Sequence, residues 1–156
     1  MIRIEKAKDE DAKTIIECKI DAYREEVKLY GFGPRDYDSI EELMRIMREE
    51  IYFKILEDDI IIGGIQVRDN GEGQYWIGSI YINSASQNKG IGTKVMSLLF
   101  NEFKDWKSWY LETSYLSYRN QHFYEKMGFV KFGTTKPNAK QNGFHLFKYV
   151  KVKDGI

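Results

Sequence analysis

The chain has 156 residues, 42% of them apolar and 15% aromatic, and its 24 Lys plus Arg are matched by 24 Asp plus Glu. Length and apolar content predict one globular domain, residues 1–156, with a single buried core, and exclude a disordered chain. Balanced charge removes any electrostatic case for nucleic acid or an anionic membrane as a partner, and the lone cysteine, Cys18, excludes an internal disulfide and fits a reducing compartment. The opening Met-Ile-Arg-Ile-Glu-Lys has no apolar signal core, and no run approaches a membrane span, so a soluble cytoplasmic protein is expected.

Ile2 and Ile4 alternate with Arg3 and Glu5 and predict a short first strand. Asp9 is the expected N-cap of a first helix, with Glu10 and Asp11 in its first turn. Ala12, Ile15, Ile16, Ile20, Tyr23 and Val27 form its apolar stripe, and the helix is expected to run to about Glu26. Cys18 lies in this run and reads as a small buried residue. Residues 28–38, with Gly31, Gly33 and Pro34, read as a loop. Ser39-Ile40-Glu41-Glu42 is a capping box that opens a second helix, turning Leu43, Met44, Met47 and Ile51 to the core.

Residues 52–57 and 60–68 are β-rich and joined by Asp58-Asp59, which predicts a hairpin. Gly63-Gly64 inside the second run predicts a bulge or a close backbone approach. After a turn at 69–73, a strand is expected over 74–82. Ile91, Val95, Leu98, Leu99 and Phe103 then recur with helical spacing, to about Lys104. A strand at 108–113 and a helix at 118–127 follow, with Ser117 a cap and Gly128 the stop residue. Strands at 129–132 and 144–152 close the chain around a polar loop at 136–143. The order β-α-α-β-β-β-α-β-α-β-β predicts an α/β fold. Its central sheet would be mixed and mostly antiparallel, with helices on both faces.

The stretch between the 74–82 strand and the next helix carries chemistry. Gln87-Asn88-Lys89-Gly90-Ile91-Gly92-Thr93 places two glycines where the helix begins. Glycines let a ligand approach the main chain, and the first helical turn has unpaired N–H groups and a partial positive charge, so the stretch suits a phosphate. A P-loop would need a Gly-Lys pair, and the chain contains none. The dinucleotide fingerprint would need a third glycine where Val95 stands. It finds an acid about twenty residues on, Glu112, but it would turn directly off the strand, whereas Asn83 to Lys89 intervene here. The pattern Gln/Arg-x-x-Gly-x-Gly/Ala fits at every specified position.

That pattern resembles the pyrophosphate loop of the GNAT-type N-acetyltransferases. A second segment, Phe123-Tyr124-Glu125-Lys126-Met127-Gly128-Phe129, resembles the aromatic-Tyr-Glu-Lys-apolar-Gly-Phe signature of the same family, and the element order over the full chain is similar too. The resemblance implies an enzyme that moves an acetyl group from acetyl-CoA directly to an amine, most naturally of a small molecule, with no metal. Main-chain groups of Ile80, Tyr81 and Ile82 would hold the pantetheine arm, and backbone N–H groups across Gln87, Asn88, Lys89, Gly90, Ile91, Gly92 and Thr93 the pyrophosphate. Lys89 and Lys94 could add charge. Many members have an Asn seven residues before the motif tyrosine; here that position is Ser117, and the nearest Asn is Asn120.

Such chemistry requires a neutral amine, a stabilised oxyanion and a protonated thiol. A lysine-like amine has a pKa near 10.4, so about one molecule in a few thousand is neutral at pH 7. The resemblance assigns Tyr124 as the acid for the departing thiolate. Full transfer from a phenol to a free thiolate is uphill by roughly 2 kcal/mol, so Tyr124 needs a lowered pKa or acts by a hydrogen bond. Some members carry a Glu early in the strand before the loop. None stands near Trp76, which leaves Glu112, near the end of the following strand, as the substitute base. Tyr30, Phe32, Asp36 and Tyr37 fall where relatives shape the acceptor pocket. His122 and His145 form no metal pair at a recognisable spacing. The alternative to an enzyme is a non-catalytic acyl-CoA-binding module of the same fold. Either would be a monomer or a homodimer.

Overall fold

A computed structural model describes residues 1–154. It contains strands β1 (Ile2–Lys6), β2 (Ile51–Glu57), β3 (Ile60–Asp69), β4 (Gln74–Ile82), β5 (Ser108–Ser114), β6 (Val130–Thr134) and β7 (Leu146–Val152). The helices are α1 (Ala12–Ala22), α2 (Arg24–Tyr30), α3 (Ile40–Glu49), α4 (Ile91–Glu102) and α5 (Tyr118–Lys126). The strands form one mixed sheet in the order β1-β2-β3-β4-β5-β7-β6. The expected order of elements holds, with one helix more than expected. The chain divides into two compact units, residues 1–68 with 79–104, and residues 69–78 with 105–154, so β4 contributes to both.

In the first unit β1, β2 and β3 pair antiparallel. Adjacent β2 residues Tyr52 and Phe53 are both buried, so both faces of this strand are covered. Tyr52 joins the cluster of Ala12, Ile15, Ile16, Cys18, Leu43 and Tyr81 beneath α1 and α3. The Phe53 ring lies 6.0 Å from that of Phe103, at the end of α4, edge to face. Cys18 is buried as expected, and burial pushes its thiol pKa up.

Two boundaries differ from expectation. Asp9–Asp11 is a 3-10 turn whose cap is Lys8; the Lys8 N–H donates to the Asp11 carboxylate at 2.8 Å, so Asp11 closes the turn instead of Asp9 opening it. The first helix does not stop near Glu26. It breaks at Tyr23 (φ −95°, ψ 3°) and resumes as α2 to Tyr30, where Gly31 at φ +79° ends it. Tyr23 N–H closes α1 on the Lys19 carbonyl, and the Tyr23 carbonyl accepts from the Val27 N–H to open α2, so Tyr23 is the last residue of one ladder and the first of the next. Ser39 caps α3 through the Glu42 N–H at 3.2 Å, but the Glu42 carboxylate turns to Arg45, which leaves half of the expected capping box.

The expected feature at Gly63-Gly64 is both a bulge and a close approach. Pairing with β2 shifts register between Ile55 and Leu56, opposite Gly63. A Cβ on Gly63 would lie 2.0 Å from the Tyr81 carbonyl oxygen, and one on Gly64 would lie 2.4 Å from the Tyr81 hydroxyl. Only glycine fits at either place.

In the second unit β4 and β5 pair in parallel from Gln74↔Ser108 to Trp76↔Tyr110, and β7 lies antiparallel between β5 and β6. Trp109 and Tyr149 fill its core; Tyr75 stacks on Trp109 at 5.1 Å, and the Tyr149 hydroxyl donates to Glu125 at 2.9 Å. Lys151 Nζ donates to the Met127 carbonyl at 2.9 Å, placing a cation on the last turn of α5, and Gly128 at φ +96° ends that helix as expected.

The approach of β3 to β4 predicts unequal glycine costs. Gly63→Ala should lower the unfolding free energy by about 3 kcal/mol, because backbone cannot move aside as a side chain can. Gly71→Ala, at φ +85° with open space around it, should cost about 1 kcal/mol from backbone strain alone. Urea titrations of both variants check this; equal midpoints would show that the Tyr81 contact does not set the strand spacing.

Candidate functional site

In the first unit the chain leaves β4 under tight control. The Asn83 N–H donates to the Ile62 carbonyl at 2.7 Å, and its side chain caps the 3-10 turn Ser84–Ser86 through the Ser86 N–H at 3.1 Å. The Ser84 N–H and hydroxyl donate to the Asp21 carboxylate at 2.6 and 3.2 Å, which ties α1 to this turn. The Ser84 N–H, with Arg24 beside it, holds the Asp21 carboxyl below its usual range. The Gln87 side chain donates to the Ile82 carbonyl at 2.7 Å. The glutamine of the motif is thus a brace across the turn.

Past Gln87 the main chain becomes left-handed at Asn88 (φ +64°) and again at Gly90 (φ +75°), and α4 begins at Ile91. Such alternation turns successive N–H groups toward one side, the geometry of a backbone anion nest. Ile91 is buried and anchors the helix start, while Asn88, Lys89, Gly90, Thr93 and Lys94 are exposed. Gly90 brings no capping side chain, and the first turn of α4 contains no acid. The start of α3 differs: it has Ser39 as a cap and Glu41 and Glu42 in its first turn. The positive end of α4 is therefore left without an internal anion.

Tyr81, named in the sequence for its main chain, also has a buried side chain. Its hydroxyl meets that of Tyr52 at 2.5 Å, and burial first, then Tyr52, raises its pKa well above 10. Burial likewise pushes Tyr52 up to about 12. Of the acceptor-side candidates, Tyr37 packs its ring edge-on to Tyr23 at 6.5 Å, and Tyr23 lies 6.1 Å from Tyr81. The structure thus brings Tyr37 and Tyr81 into one aromatic group through Tyr23. Tyr30 pairs with Phe32 at 6.1 Å, and Asp36 is half exposed beside Arg35.

In the second unit Tyr124 is buried on α5 between the rings of Phe123 and Phe129, 5.4 and 5.8 Å away. Ser117 precedes α5 and makes no side-chain cap, Asn120 is partly buried, and His122 is exposed. The unforeseen residue here is Gln121, whose side chain donates to the Ser114 and Tyr115 carbonyls at 3.0 and 2.9 Å and fastens α5 to the end of β5. Glu112 is exposed on β5, in register with Lys148 of β7. Among the described residues no three His, Cys, Asp or Glu side chains gather as metal ligands, and no helix is long and apolar enough to cross a membrane. A groove of about 450 Å³ lined by Ile4, Phe53, Glu102 and Phe103 lies at the far end of α4 from the loop.

A sequence model of the acetyltransferase (GNAT) family matches residues 4–129. No curated relative matches the chain in sequence. Among solved structures, the chain is similar to the PaiA N-acetyltransferase of Thermoplasma acidophilum, crystallised with coenzyme A, at 18% identity and TM-score 0.78, over 98% of this chain and 99% of that one. It is similar to an acetyltransferase of Thermus thermophilus at 13% identity and TM-score 0.81, over 98% and 97%. The ribosomal-protein-S18-alanine N-acetyltransferase of Escherichia coli follows at 12% identity and TM-score 0.78, over 100% and 99%.

Glu26, half-buried on α2, was not singled out by its sequence, and burial raises its carboxyl pKa with no neighbouring charge offsetting it. A raised folded pKa favours the protonated form in the folded state. Its contribution is full below the unfolded value of about 4.3 and is lost as pH rises through the folded value. Glu26→Gln should therefore have a higher Tm than the parent at pH 7 to 8, and the gap should close near pH 4. A gap independent of pH, measured by thermal melts across that range, would show that Glu26 is solvated.

Proposed function

The chain belongs to the GNAT acetyltransferase family, and on that footing we propose that it transfers the acetyl group of acetyl-CoA directly to the primary amine of a small molecule. The observation that carries this reading is the start of α4: a helix N-terminus with no acid in its first turn, opened by left-handed Asn88 and Gly90. A diphosphate supplies the anion that this end of the helix otherwise lacks. In this reading the N–H groups from Asn88 to Thr93 hold the pyrophosphate, since the Gln87 N–H already donates to the Ser84 carbonyl at 3.3 Å, and main-chain groups of Ile80, Tyr81 and Ile82 hold the pantetheine arm. Ser117 and Asn120 are assigned a lesser contact with the cofactor.

Acetyl-CoA supplies an activated acyl group; the protein's part is to orient it and to manage two protons. Tyr124 is assigned to the leaving thiolate, as a proton donor or hydrogen-bond donor. Its packing between Phe123 and Phe129 supports this role, since it restricts the ring before substrate arrives. Glu112 is assigned as base toward the acceptor ammonium. Its exposure favours action through water over direct contact.

Calorimetry against acetyl-CoA, with NAD and ATP as controls, is the direct test. Acetyl-CoA alone should bind, and an amine panel should release free thiol. Binding of NAD instead would overturn the reading, and binding without thiol release from any amine would identify a non-catalytic module.

Three substitutions divide the roles. Thr93→Glu places an acid in the first turn of α4, where it suits the helix. It should leave Tm unchanged or slightly raised while weakening acetyl-CoA binding by about tenfold or more, the worth of one lost charge-assisted contact. Unaltered affinity would place the diphosphate elsewhere. Tyr124→Phe should reduce kcat by about tenfold or more with little change in acetyl-CoA affinity; an unchanged kcat would remove Tyr124 from the chemistry. Glu112→Gln should remove the acidic limb of the pH–rate profile, and a retained limb would assign the base to another group.

A further inference from the structure

Lys19 is an unusual residue in the first unit. It sits on α1 with only 6% of its surface exposed. Its ammonium lies over the Tyr81 ring, 5.7 Å from the centroid, close enough for a cation–π contact. None of the ion pairs among the described residues includes it. The two carboxylates whose charges reach it are engaged elsewhere, Asp36 with Arg35 and Glu42 with Arg45. Burial lowers its pKa. The comparison within the same unit is Lys54, partly buried, whose ammonium is held 2.8 Å from Asp11. A buried lysine is ordinarily paired in this way, because desolvating an ammonium alone is expensive.

The surroundings of Lys19 suit recognition of a small molecule. Tyr81, beneath the ammonium, stands on the β4 segment assigned above to the pantetheine arm. Tyr23 and Tyr37 extend the aromatic surface from Tyr81 toward the loop that follows α2. Flat apolar walls with one buried charge are the composition of a small-ligand site.

We propose that Lys19 determines acceptor specificity: it receives an anionic group, a carboxylate or a phosphate, carried on the same small molecule as the reacting amine. This rests on the acetyl-transfer reading above. Lys19 binds and orients the acceptor and takes no part in the proton transfers. An acceptor with an anion near its amine gains a charge-assisted bond in a water-poor setting, whereas a purely cationic amine meets a like charge.

The test uses three matched acceptors: an amino acid, its decarboxylated amine, and the phosphate ester of ethanolamine. Thiol release gives kcat and KM for each, and calorimetry against the CoA-saturated protein gives acceptor affinity without turnover. The wild type should favour the carboxylate or the phosphate acceptor over the decarboxylated amine, and whichever of the two is favoured identifies the anion. Lys19→Met should collapse that preference by about tenfold or more through KM, with Lys19→Arg restoring part of it. Lys19→Met removes a buried charge, so its Tm at pH 7 should equal or exceed that of the wild type, and a lost preference will not reflect misfolding. A preference unaltered in Lys19→Met, or a wild type that favours the decarboxylated amine, would overturn the proposal. So would thiol release from none of the anionic acceptors by a protein that binds acetyl-CoA. Failure to bind acetyl-CoA at all would instead overturn the acetyl-transfer reading on which the proposal stands.

Discussion

The first unit depends on the distance between β3 and β4 at Tyr81. The Tyr81 carbonyl lies where a Gly63 Cβ would stand, and the Tyr81 hydroxyl lies almost where a Gly64 Cβ would stand. One tyrosine thus takes up both places left open by the two glycines. With the strands this close, the hydroxyl reaches Tyr52 and the ring forms a surface under Lys19 and beside Tyr23. The next residues inherit the constraint. Asn83 bonds back to β3 at Ile62, Gln87 folds back to Ile82, and Asp21 reaches across from α1 to Ser84. The chain arrives at Asn88 with little freedom left, so the left-handed turns at Asn88 and Gly90 begin from a braced position. An anion site built of main-chain N–H groups needs such bracing, since no side chain compensates for a misplaced backbone.

What could be read from the sequence was what local rules govern. Glycines at 63 and 64, the glycine-punctuated helix start at 90 to 92, and the stop at Gly128 each report a backbone demand that few residues meet. Apolar alternation reported the strands and helical spacing the helices, so the order of elements followed. The break at Tyr23 was hidden, because the residues on either side keep the apolar stripe. At the break the Tyr23 ring faces both Tyr37 and Tyr81, contacts that apolar spacing along the helix does not report.

The same division explains the site. The residues from Gln87 to Thr93 form a contiguous motif and could be singled out from the sequence. Asp21 and Gln121 could not, since each acts by holding backbone from another element, and an isolated Asp or Gln on a helix resembles any solvated residue. Lys19 did leave a trace. It stands four residues after Ile15 and four before Tyr23, inside the apolar stripe of the first helix. A charge in such a stripe either snorkels to water or is buried, and spacing alone does not separate the two.

The contrast between Lys54 and Lys19 carries the argument to function. The fold meets the cost of one partly buried lysine with Asp11, from the 3-10 turn ahead of α1. For the other, among the described residues, it provides the face of a tyrosine and no ion pair, although Asp36 and Glu42 are near enough to act on it electrostatically. Had stability been the only demand, a methionine at position 19 would pack as well without the desolvation. An unpaired buried charge is a standing cost that a ligand of opposite sign can offset, and that offset makes binding selective. Glu26, also desolvated and uncompensated, lies two helical turns further along the same run of chain. The segment from Lys19 to Glu26 thus holds two side chains whose charged forms burial disfavours, around the tyrosine at which the helix breaks.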